Sequence, residues 1–182
     1  HEVYMELRRT LTVIEYEPNH IISIRKLENA GITKGDLMAF CEEVYEAAPD
    51  DEYFSILSLK QDGFVSGLFD FGFQDWFYAN VLLSDERFTS GTMYGAYVFR
   101  KDGKEPMIRT LLEERIQAHG SIDVYDLMDE LTGRYGCGIS DRYDIDKKLY
   151  GSAVYHDRFT DRLYPDQDAF EREVEETEVL YQ

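Results

Sequence analysis

The run Gly120-Ser121-Ile122-Asp123-Val124-Tyr125-Asp126-Leu127-Met128-Asp129-Glu130-Leu131 carries the pattern from which the architecture of this chain follows. Val124, Leu127, Met128 and Leu131 recur at i, i+3, i+4 and i+7, one face of an amphipathic helix, and Gly120-Ser121 closes whatever precedes it. Upstream, Ile108, Leu111, Leu112 and Ile116 repeat the helical spacing. Downstream, Gly133, Gly136 and Gly138 break it, and a third helix is predicted from about Arg142 to Tyr150. Arg158-Phe159 through Leu163-Tyr164 reads as a β ribbon. A last, glutamate-rich helix over 168–180 places Phe170 and Val174 on one side.

A fixed offset of 71 residues lays this half over the preceding one. Leu37, Phe40 and Cys41 fall on Ile108, Leu111 and Leu112. Gly67-Leu68 falls on Gly138-Ile139, Asp70 and Asp75 on Asp141 and Asp146, and Arg87-Phe88 on Arg158-Phe159. In the first half Thr33 caps a helix through Leu37, Phe40, Cys41 and Val44, with Asp36 in its first turn. A second helix is expected from Asp50 or Asp51 through Tyr53, Phe54, Ile56, Leu57 and Leu59 to Gly63, and a third from about Gln74 to Leu83. Alternation through Met93, Tyr94, Tyr97 and Phe99 predicts a ribbon ending at Lys101-Asp102-Gly103. Three helices followed by a small ribbon is the order of a winged helix. Before them, Leu11-Thr12-Val13-Ile14 and Ile21-Ile22-Ser23-Ile24 read as two short strands, or a strand and a turn, available to add to the sheet of the first module.

The 120–131 run, followed by His156-Asp157-Arg158-Phe159, resembles the winged-helix domain of the RNA polymerase delta subunit and the wider HARE-HTH group. Ser84-Asp85-Glu86-Arg87-Phe88 and Tyr94-Gly95-Ala96-Tyr97-Val98-Phe99 echo it. The resemblance implies a role in transcription or other DNA transactions, often as an adaptor. The expected fold class is therefore α+β, mainly α, with two tandem winged-helix modules. A 1–32 extension with short strands precedes a first module at 33–104 and a second at 105–182 that ends in the acidic helix.

The 182 residues carry 19 Lys+Arg against 37 Asp+Glu, a net charge of −18, which excludes a uniformly basic nucleic-acid binder. The halves share it: residues 1–104 hold 10 basic and 18 acidic groups, and residues 105–182 hold 9 and 19. Long-range steering thus favours a protein partner with a basic surface. Asp70, Gln74 and Asp75 interrupt the most apolar stretch, so no membrane span is expected, nor is there a signal-peptide pattern at the N-terminus. Cys41 and Cys137 are too few for a disulfide framework, and a reducing, cytoplasmic setting fits. The opening His1 suggests a tag remnant or a fragment of something longer.

Catalytic patterns are missing. No P-loop or Gly-x-Ser-x-Gly string occurs, and Gly133-x-x-Gly136-x-Gly138 has the wrong spacing for a dinucleotide fingerprint. His1, His20, His119 and His156 are scattered, and neither cysteine has a CxxC partner, so no zinc site is expected. Asp141, Asp144 and Asp146 do not match an EF-hand loop and read as capping or solvated residues. We therefore expect no enzyme activity, no cofactor or metal, and no small-molecule substrate. Two binding surfaces remain. Trp76, Phe77 and Tyr78 form a candidate protein-interaction patch, with core packing as the plainer alternative. Arg142, Lys147, Lys148, Arg158 and Arg162 form a candidate DNA-binding stripe, because phosphate neutralisation needs cations on the third helix or wing. The competing expectation is that Lys147 and Lys148 pair with Asp144 and the surrounding carboxylates as a solvated face, while Arg158, recurring as Arg87, orients the ribbon. An adaptor working through protein contacts is the leading reading, with direct DNA binding by the second module as the alternative.

Overall fold

The computed structural model describes residues 1–182 as an α+β chain, mainly helical, with small antiparallel sheets. Two compact units divide it: His1–Pro106 together with 134–136, and Met107–Gly133 with Cys137–Gln182. No helix is long and apolar enough to cross a membrane.

The first unit begins with α1 (Glu2–Arg9), the hairpin β1 (Val13–Glu17) and β2 (His20–Ser23), and α2 (Ile24–Asn29). The two expected N-terminal strands are present. They form a sheet of their own instead of extending a later one, and β1 lies along α5 (Asp75–Leu82), the expected third helix. Helix α3 (Lys34–Ala47) starts where Thr33 predicts. Thr33 Oγ1 accepts from the Asp36 amide at 3.1 Å, and the Asp36 carboxylate accepts from the Thr33 amide at 2.8 Å, a reciprocal capping box. Its Leu37, Phe40, Cys41 and Val44 are buried.

The second helix differs from expectation. α4 spans only Ile56–Gln61, because Ser55 and Ser58 form a capping box there. Tyr53 and Phe54 stay outside it, and Phe54 exchanges backbone hydrogen bonds with Phe99 at 3.0 and 2.8 Å. A 3-10 turn, Gly67–Phe71, precedes α5. Strands β3 (Thr89–Met93) and β4 (Ala96–Arg100) then pair. Tyr94 (φ 47°) and Gly95 (φ 83°) form the two-residue link, so Tyr94 sits in the turn and not in a strand; positive φ at both positions suits the right-handed strand twist.

The second unit runs α6 (Ile108–His119), β5 (Ile122–Asp123), α7 (Val124–Tyr135, whose last two residues count with the first unit), α8 (Arg142–Leu149), β6 (Tyr155–Asp157), β7 (Arg162–Tyr164) and α9 (Gln167–Leu180). Gly120, at φ 77°, ends α6 in a conformation that β-carbon-bearing residues rarely adopt. Asp123, Asp141 and Asp166 accept amide hydrogen bonds at the starts of α7, α8 and α9. The sheet order is β5-β7-β6, antiparallel throughout, with Leu163 paired to both Ile122 and His156. Both units thus show helix, extended pairing residues, helix, helix and hairpin. The 71-residue register fails beyond the first helix of each: α5 and α8 start less than 71 residues apart, Asp70 lies in a 3-10 turn while Asp141 caps α8, and Arg87-Phe88 precedes its hairpin while Arg158-Phe159 forms the tip of the other.

Both cysteines are free and buried, and burial pushes the Cys41 thiol up to about 12 and Cys137 to about 11. The thiolate is the reactive form. Neither side chain should react appreciably with a disulfide-exchange reagent at pH 8 in the native protein, and both should react once urea unfolds it. Rapid native-state labelling of either would contradict this packing.

Candidate interaction surface

Of the patch expected at Trp76, Phe77 and Tyr78, two members lie in the core, in line with the plainer alternative. Phe77 and Tyr78 have no exposed surface, and Trp76 is half-buried. Consecutive helical residues point about 100° apart, so one flat neighbour could not cover all three. Helix α5, however, is packed by β1, by α3 and α4, and by β4. Phe73 stacks on Phe77 at 4.0 Å, Phe69 meets Tyr78 edge-on at 4.8 Å, and the Tyr78 hydroxyl donates to the Leu68 carbonyl at 2.9 Å. Trp76 lies on Tyr97 at 4.6 Å, and its Nε1 donates to Glu15 at 3.3 Å. Phe77 and Tyr78 are therefore closed to a partner, and only part of Trp76 reaches the surface.

Four of the five expected DNA-contacting cations are engaged within the second unit. Arg142 donates through both terminal nitrogens to the Asp161 carboxylate, Nη2 to Oδ1 at 2.5 Å. Arg158 donates to Asp146 at 2.9 Å, Lys147 lies 3.9 Å from Asp144, and Arg162 donates to Ser121 Oγ at 2.9 Å. Lys147 and Lys148 are exposed. Within the expected stripe Arg142 is thus held inside a charge network, while Lys147, Lys148 and much of Arg158 face solvent.

His156, scattered in the sequence, sits at the centre of that network. Its Nδ1 is 2.9 Å from Asp146 on α8, and its Nε2 is 2.8 Å from Asp161 at the end of the β6–β7 turn. With Arg142 and Arg158 outside the two carboxylates, five charged or polar side chains tie the hairpin to α8. Asp161 adopts φ 61°, which an aspartate tolerates better than most residues and which brings its carboxylate to both partners. Hydrogen bonding from His156, reinforced by Arg142, holds Asp161 below the usual carboxylate range. Asp157 is likewise lowered by the Thr160 hydroxyl and the Phe159 amide, which fix the turn. The sequence signal for this arrangement is faint, since carboxylates are everywhere in the chain.

What the network leaves outside is aromatic. Phe159, at the hairpin tip, is 97% exposed; Tyr150, at the end of α8, is 86% exposed; Tyr143 is 62% exposed. Tyr143, Lys147 and Tyr150 follow i, i+4, i+7, on the side of α8 away from its buried Ile145 and Leu149. That spacing was legible in the sequence and points to an exposed face once Ile145 and Leu149 are assigned inward. Arg142 also lies within 5.8 Å of the Tyr125 ring and 5.7 Å of the Tyr143 ring. Tyrosine and arginine with neutralised charge are side chains that dominate protein interfaces. No protein-family model, no curated protein and no solved structure matches the chain.

Proposed function

We propose that the chain is a non-catalytic tandem winged-helix module of a larger assembly in transcription or other DNA transactions, acting mainly through protein contacts. The repeated order of helix, extended pairing residue, helix, helix and hairpin supports the winged-helix reading of both units. In this reading α8 is the third helix and the β6–β7 hairpin the wing of the second module. The observation that carries protein over nucleic acid is the commitment of Arg142 and Arg158 to Asp161 and Asp146. Phosphate binding would have to break the two-point Arg142 pair and compete with Asp146 for Arg158, while Tyr143, Tyr150 and Phe159 are already presented. The net charge of −18 adds repulsion of DNA and attraction to a basic partner surface. Two buried free thiols suit a reducing, cytoplasmic location.

Exposed Lys147 and Lys148 favour the second reading, direct DNA binding by this module. Titrating labelled duplex DNA at low salt separates the two. No saturable binding is expected, for the wild type or for Lys147→Ala/Lys148→Ala. Saturable binding with a steep salt slope, flattened in the double variant, would sink the protein-contact reading in favour of DNA.

A further inference from the structure

Helix α9 is joined to its unit only near its start. Phe170 stacks on Tyr155 at 4.7 Å and meets Tyr164 edge-on at 5.3 Å, while every residue from Glu171 onward is exposed. Phe170, Val174, Thr177 and Tyr181 recur at i, i+4, i+7 and i+11 along one stripe. The inner end of that stripe is covered by Tyr155 and Tyr164. Its outer end, ending at an 88%-exposed Tyr181, is covered by nothing within the chain.

Intrinsic propensity does not explain a helix here. At 14 residues it is marginal in water on its own. Glu171 and Glu175 repel at i, i+4 spacing, and Glu175, Glu176 and Glu178 crowd the negative end of the helix dipole with no basic residue in the last turn. The segment holds six carboxylates against the single Arg172. What would complete it is an apolar cover flanked by positive charge.

We infer that the outer stripe of α9 docks a basic amphipathic helix of a protein partner, apolar side chains covering Val174 and Tyr181 and Lys or Arg flanking them against the glutamates. A second copy of this chain would set acidic helix against acidic helix, and a nucleic acid would be repelled. The inference rests on the protein-contact reading above. It fails separately from that reading, because the DNA titration reports on α8 and the hairpin.

The test is titration of the intact protein with a fluorescent synthetic Leu/Lys amphipathic helix, with polylysine as the charge-only control and sedimentation to detect self-association. Saturable one-to-one binding is expected, weakened by salt, and weakened about tenfold or more by Val174→Ser/Tyr181→Ser. Both substitutions are on exposed side chains, and an unchanged urea transition, followed by Trp76 fluorescence and by far-UV circular dichroism, verifies the fold. Amides of α9 should exchange more slowly when the peptide is bound. Absence of binding, equal binding of polylysine, an unaffected double variant, or self-association that the double variant abolishes would each overturn the inference.

Discussion

Phe77→Ala is expected to cost about 3–5 kcal/mol of stability, the range for truncating a fully buried aromatic side chain. Phe77 has no exposed surface, stacks on Phe73 at 4.0 Å and meets Tyr78 at 5.2 Å, in a cluster that joins α5 to the rest of the first unit. Truncation leaves a cavity that the flanking rings cannot collapse into without leaving their own partners. The single tryptophan, Trp76, belongs to the same unit, so its fluorescence follows that unit through a urea titration. A loss under about 0.5 kcal/mol, the size of a surface substitution, would show that Phe77 is an exposed anchor after all.

The second large effect concerns Arg100, whose side chain is 1% exposed. It donates to Asp102 at 2.6 Å and to the Asp51 carbonyl at 2.6 Å, and it lies 4.6 Å from the centre of the Tyr53 ring. Asp102→Ala removes the carboxylate that neutralises a buried guanidinium, and about 3–5 kcal/mol should be lost at neutral pH. Arg100→Met removes the buried charge itself and should cost less, about 1–3 kcal/mol, from the unpaired Asp51 carbonyl and lost packing. Hydrogen bonding from Arg100 pushes the Asp102 carboxyl down to about 2. A carboxylate with a lowered native pKa stabilises the fold fully above its unfolded value of about 3.9, and that contribution disappears as pH falls toward 2. The gap between wild type and Asp102→Ala should therefore be constant from pH 5 upward and narrow below pH 4. A gap that does not change between pH 5 and pH 2.5, measured by denaturant titration, would rule out this ion pair as the cause.

Local signals held where they were dense. Thr33 and Asp36 fixed the start of α3, Gly120 the end of α6, and the spacing of Leu111, Leu112 and Ile116 the buried face between them, because caps, glycine conformations and helical periodicity act over a few residues. They misled where two local solutions competed. Asp50 and Asp51 are good cap residues, yet Ser55 starts α4, since Phe54 gains more by pairing with Phe99, 45 positions on. For the Trp76-Phe77-Tyr78 run the plainer expectation of core packing agrees with the structure: Phe77 and Tyr78 are buried and Trp76 is half-buried, because neighbours cover α5 on several sides.

By itself the sequence determined the main helical and strand periods, the Thr33 cap, the Gly120 stop and the even division of acidity between two halves. Each of these depends on residue type and spacing along the chain. The tertiary structure alone decided which charges are available. Arg142 and Asp161, or Asp146 with His156 and Arg158, are far apart in sequence and meet only when the hairpin closes on α8. A cation's worth to a partner depends on whether a carboxylate already holds it, and that is a property of distance in space.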